Sequence, residues 1–227
     1  MLFVRYENWK SFLRYYPVTS LILLINVAVF IFLSFNGGST NPQTLADYGA
    51  VTNVPMYDQW WRVITAIFLH NGFSHLLSNS FGLIVFAPPL ERLIGSWRYV
   101  VLYMASGIIG NVISLELYQQ SANSVVAVGA SGAIYGIYGA FLYIALFQRQ
   151  IMDEASRKTM YTILVLGLIF TFVVPGIGIW AHVGGLIAGF FIYGLMLRLT
   201  GLRGRWRRLA EAYAKSLSEQ ENRNKME

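Results

Sequence analysis

The sequence contains no cysteine. Disulfides, thiolate metal sites and cysteine nucleophiles are thereby excluded, and the chain carries no mark of its redox compartment. Its three histidines gain weight in consequence. Charge is scarce as well: 12% of the 227 residues are charged, against about 25% in a soluble domain. With 56% hydrophobic residues and a mean hydropathy of +0.50, the composition disfavours a soluble globular protein and excludes a disordered chain. Glycine and proline show no fibrous period, and no internal repeat is present. One compact membrane unit remains.

What is there instead is apolar runs. A bilayer core of roughly 30 Å takes about 20 apolar residues per helix. Six runs meet or approach that length, at residues 18–35, 73–90, 99–117, 125–147, 160–174 and 179–199. The expected fold class is an all-α membrane protein, a six-transmembrane-helix bundle with an interfacial first loop. The second run is interrupted by His75, Asn79, Pro88 and Pro89, and the fifth is short enough to predict a tilt or local thinning of the bilayer. The expected organisation is a cytoplasmic interfacial segment at 1–17, the six-helix domain at 18–199 and a basic cytoplasmic tail at 200–227. No small-residue cleavage site follows the first run, so it reads as a span and not as a leader. With no transit peptide ahead of it, a cell membrane of bacterial type is the expected location.

The positive charges are one-sided. Sixteen of the seventeen Lys and Arg residues flank the runs at the N-terminus, around Arg92 and Arg98, around Arg149 to Lys158, and from Arg198 onward. Positive residues are retained in the cytoplasm, so both termini are predicted there. The exception, Arg62, follows Trp60 and Trp61 at the end of the long outer segment, a position suited to an interfacial aromatic anchor beside lipid headgroups, so this loop is expected in the membrane interface. The basic tail around Trp206 suits a surface of anionic lipid, and no nucleic acid partner is expected.

Polar groups inside such runs are costly and face a bundle interior or a cavity. Three clusters occur: His70, Asn71, His75 and Asn79; Gly129, Ala130, Ser131 and Gly132; and Ala181, His182, Gly185 and Gly189. Taken singly, each also reads as helix packing, through hydrogen-bonding His and Asn or small-residue faces. Their depths bear on the choice. Asn79, Ser131 and His182 lie thirteen, eighteen and sixteen residues from the cytoplasmic markers Arg92, Arg149 and Arg198. At about 1.5 Å per residue all three fall in the outer half of the bilayer, roughly 20 to 27 Å from the cytoplasmic boundary. Serine with histidine is the minimum nucleophile and base, because the hydroxyl attacks only once an imidazole accepts its proton. The acids all stand at run ends or in loops, which predicts a dyad without a third acid. No HExxH pattern occurs, so no metal is expected.

With these residues assembled, the chain resembles the rhomboid intramembrane serine proteases over about residues 15 to 200. GxSG matches Gly129, Ser131 and Gly132; AHxxGxxxG matches Ala181, His182, Gly185 and Gly189; HxxxxHxxxN matches His70, His75 and Asn79. The first-loop WR pair matches Trp61 and Arg62, and ExxxG matches Glu91 and Gly95. The resemblance implies Ser131 as nucleophile and His182 as base. It implies an oxyanion hole from the Ser131 amide, His75 and Asn79, with Tyr135 stacked on the catalytic histidine. It further implies hydrolysis of a peptide bond in or beside the transmembrane helix of a substrate protein, without cofactor or metal. The active site would open toward the extracytoplasmic side, with entry gated by the fifth span and a loop at Pro175, Gly176 and Gly178. An inactive rhomboid-like membrane chaperone and a small transporter are the other classes weighed. The Ser131 and His182 pairing opposes the first, and the lack of inverted repeats and mid-span carboxylates opposes the second.

Overall fold

A computed structural model describes residues 2–3, 7–119, 121–174 and 176–201. The basic tail from 202 onward, Arg5 and Pro175 lie outside the described residues. A short helix α1 (Trp9–Tyr15) leads into α2 (Pro17–Phe35). The first loop carries α3 (Pro42–Asp47), a two-residue strand β1 (Val51–Thr52), α4 (Arg62–Thr65) and a 3-10 turn at Ala66–Phe68. Then come α5 (Gly72–Ile94), α6 (Ser96–Tyr118), strand β2 (Val126–Ala127) and α7 (Ser131–Phe147). α8 (Glu154–Val173) and α9 (Ile179–Leu199) complete an all-α membrane bundle.

Four of the six long helices, α2, α6, α8 and α9, are long and apolar enough to cross a bilayer by length and composition. α7 is apolar but has 17 residues, and α5 owes its lower apolarity to its polar first turns and charged last turn. Two expected boundaries are corrected. The fourth run does not begin as helix at Val125: residues 126–127 pair antiparallel with β1, and the helix starts at Ser131. Gly129 explains the break, because its φ of +125° is left-handed backbone that a helix does not contain and a side chain rarely adopts. The fifth helix is not short, since α8 has 20 residues: Asp153 caps it by accepting from the Ser156 amide at 3.0 Å and so starts it ahead of its apolar stretch.

α9 is the axle of the bundle, packed most extensively on α7 and α6. In lipid, helices gain little from hiding apolar surface from one another, so close van der Waals approach carries the association. Glycine supplies it. A methyl at Gly185 would stand 2.0 Å from the Gly132 carbonyl oxygen, one at Gly189 2.0 Å from that of Gly136, and one at Gly139 2.1 Å from that of Leu186. α6 meets α9 in the same way, with Gly110 against the Ala181 carbonyl, 2.6 Å from an added methyl. Tyr99, Tyr103, Phe141 and Tyr193 fill the space further along, all fully buried.

Far from these glycines, Glu91 in the last turn of α5 is 1% exposed. Its carboxylate accepts from the amides of Val18 at 3.0 Å and Thr19 at 2.9 Å, from the Thr19 hydroxyl at 2.7 Å and from Ser96 at 2.8 Å. An anion is thus held at the N-terminus of α2, where the helix dipole and free amides favour it. Glu91 serves the fold here and does not join the other site residues.

Candidate active site

α5, α7 and α9 all open at the same end of the bundle, and their first turns carry the polar residues. Ser131 is the first residue of α7, so its amide belongs to a helical turn with no preceding carbonyl to accept it. The chain reaches Ser131 along a pinned path. The β1 and β2 pair aligns Val51 with Ala127, and the Gly129 amide donates to Ala66 at 2.8 Å. The Asn53 side chain donates to the carbonyls of Tyr118 at 3.1 Å and Asn123 at 3.0 Å and accepts from the Val125 amide at 2.8 Å. Asn53 escaped the sequence reading, because a single asparagine in a polar loop has no pattern to mark it.

His75 and Asn79 stand one turn apart on α5 and face Gly129. A methyl at Gly129 would lie 2.7 Å from His75 Nε2 and 3.6 Å from Asn79 Nδ2, so only a residue without a side chain admits both groups. The Asn71 amide donates to His75 Nδ1 at 3.3 Å, which puts the proton of the neutral ring on Nε2, the atom beside Gly129. Asn79 Nδ2 also donates to the His75 carbonyl at 3.1 Å, which sets its orientation.

His182 occupies the first turn of α9 and is 7% exposed. Its position follows from its neighbour, because the Ala181 backbone is wedged between Gly110 of α6 and Gly132 of α7. Gly132 follows Ser131 directly, so the glycine contact draws the serine and histidine segments together. The His182 ring stacks on Tyr135, one turn into α7, with centroids 4.2 Å apart and planes 12° from parallel. Its Nδ1 lies 2.8 Å from the hydroxyl of Thr171 on α8, a residue the sequence reading missed. A threonine in an apolar run was the available signal, and many such residues merely bond their own helix.

The remaining expected residues fall around this group. His70 is fully buried, its ring edge-on to His75 at 5.3 Å, and burial together with the His75 ring holds its pKa down to about 4. It therefore stays neutral at physiological pH. Arg62 is 5% exposed, and its guanidinium donates to the carbonyls of Ala46 and Ala50 and lies 4.7 Å over Trp61. Irregular backbone in the first loop leaves carbonyls that need donors, and a buried fork of N–H groups supplies them. Among the aromatics of that loop, Trp60 is the most exposed of the described residues.

The fold is that of an integral all-α membrane protein, and the polar group at one end of it has the residue types of a serine hydrolase. Comparison with known proteins gives the family. The pattern defining the Rhomboid domain matches residues 57–199. A putative rhomboid protease of Bacillus subtilis, YdcA, is 38% identical over 194 residues, covering 84% of this chain and 94% of its own. The rhomboid protease GluP of the same organism is 38% identical over 174 residues, 76% of this chain but 33% of its own length. A rhomboid-type serine protease of Emericella nidulans is 35% identical over 158 residues, 68% of this chain and 29% of its own. The chain belongs to the rhomboid family, and as a member of it is a membrane-embedded serine endopeptidase.

Proposed function

We propose that this protein hydrolyses peptide bonds in or next to transmembrane helices of other membrane proteins, with Ser131 as nucleophile and His182 as base. The observation that carries the reading is the glycine contact between Gly132 and Ala181, which ties the residue after the serine to the residue before the histidine.

The reaction follows from these groups. His182 accepts the Ser131 proton as Oγ attacks the scissile carbonyl carbon. The carbonyl π pair moves onto oxygen, and the resulting oxyanion is met by the Ser131 amide, His75 Nε2–H and Asn79 Nδ2–H. Collapse breaks the C–N bond, and the imidazolium hands its proton to the leaving amine. Water, deprotonated by His182, then attacks the acyl ester and restores the Ser131 hydroxyl. A helical peptide bond is hidden by its own hydrogen bonds, so the substrate has to unwind locally where water and polar groups are available. α8 suits a gate in this scheme, because it buries few of its side chains where α9 buries many. The exposed apolar side chains of α2 and α8 face lipid. The one-sided Lys and Arg distribution supports cytoplasmic termini and a site toward the extracytoplasmic side.

The test is cleavage of single-span test proteins in proteoliposomes by wild type, Ser131→Ala and His182→Ala. Loss of at least about a thousandfold in both variants is expected. Cleavage should fall near the extracytoplasmic end of the test span. Equal product from all three enzymes would overturn the dyad, and cleavage at the cytoplasmic end would overturn the orientation.

A further inference from the structure

Thr171 is 1% exposed, and its hydroxyl has three neighbours: the Gly167 carbonyl, the Tyr135 hydroxyl and His182 Nδ1, each at 2.8 Å. A threonine hydroxyl has one proton and two lone pairs. A carbonyl oxygen only accepts, so the single Thr171 proton goes to Gly167. Both lone pairs are then left as acceptors. Tyr135 therefore donates its O–H to Thr171, and His182 donates an N–H from Nδ1.

We infer that Thr171 is a positioning residue that fixes His182 in the Nδ1–H tautomer, and so presents the Nε2 lone pair as the base. The inference rests on the reading of Ser131 and His182 as the dyad. Where no acid among the described residues bonds His182, the tautomer needs another determinant, because a neutral imidazole protonated at Nε2 has no lone pair there with which to accept the serine proton. The Tyr135 ring holds the plane of the imidazole, and Thr171 decides which nitrogen carries hydrogen. Gly167 completes the arrangement: a methyl there would stand 2.9 Å from the Tyr135 hydroxyl and crowd it away from Thr171. The acceptor is carried by α8, so the helix proposed to move for substrate entry also holds the determinant of the base.

The test uses the full-length enzyme in proteoliposomes with wild type, Thr171→Val, Thr171→Ser and Ser131→Ala. Valine keeps the shape and removes the acceptor, whereas serine keeps the hydroxyl. Thr171→Val should lower kcat by about 10- to 100-fold, as for other groups that orient an acting imidazole, with KM within about twofold. Thr171→Ser should stay within about threefold of wild type. Nitrogen-15 NMR of histidine-labelled enzyme, with the His182 signals assigned by their loss in His182→Ala, should show Nδ1 protonated in wild type and in Thr171→Ser. Full activity of Thr171→Val, equal impairment of valine and serine variants, or an Nε2–H tautomer in wild-type enzyme would each overturn the inference. Cleavage surviving in Ser131→Ala would strike at the dyad instead. The NMR reads the tautomer whichever residue is the nucleophile, so the two failures are distinguishable.

Discussion

α9 and α8 are neighbours in sequence and similar in length, yet they are held in opposite ways. α9 meets α6 and α7 through backbone, with Gly110, Gly139, Gly185 and Gly189 leaving no room for even a methyl. α8 turns one narrow stripe inward, Met160, Leu164 and Thr171, and exposes Leu166, Ile169, Phe170 and Phe172. The first contact is rigid because a carbonyl cannot be displaced without moving a helix. The second has few contacts to break, and near the site its polar attachment is the Thr171 hydroxyl between Tyr135 and His182. The difference teaches how a membrane enzyme reconciles two needs. Groups that must stay in register are carried on the glycine seam, while α8, the helix proposed to yield to a substrate, is held along a narrow stripe.

That contrast can be broken from either side. The largest effect is expected at Gly189→Val, where the new side chain runs into the Gly136 carbonyl. A loss of about 3 kcal/mol or more is expected in reversible unfolding from mixed micelles, with activity lost alongside. Wild-type stability in that variant would mean that the seam is not rigid. The smallest effect is expected at Leu166→Ala on the outer face of α8, where the side chain is 56% exposed. Less than about 0.5 kcal/mol should be lost, because lipid contacts the site equally well in both variants. A large loss there would place α8 among the tightly held helices.

Much of this arrangement was legible in the sequence, for identifiable reasons. Hydropathy marks long apolar helices directly, and the distances of Asn79, Ser131 and His182 from their cytoplasmic markers put those residues near one depth. The glycines at three and seven positions after His182 announced a packing face, which is the one α7 fills. What could not be read depended on tertiary partners. Thr171 belongs to the site because α8 happens to face Tyr135 there, and nothing local distinguishes it from a threonine that bonds only its own helix. The burial of Arg62 depends on the carbonyls of Ala46 and Ala50, which only the folded loop brings to its guanidinium. Hydropathy alone did not separate the strand at 126–127 from α7, because residues 125–130 are all apolar or small and apolarity does not distinguish a short strand from a helix; the reading of Ser131 as a helix start, with free amides for an oxyanion, is the one the fold follows.

The central claim is that Ser131 is a nucleophile made reactive by His182. A mechanism-based phosphonate answers it most directly, because it forms a stable bond only to an activated serine, and mass spectrometry of the labelled protein locates the adduct. The account predicts one adduct per chain, on Ser131, absent from Ser131→Ala and reduced at least about a hundredfold in rate in His182→Ala. An adduct on another serine, or undiminished labelling of Ser131 without His182, would contradict it.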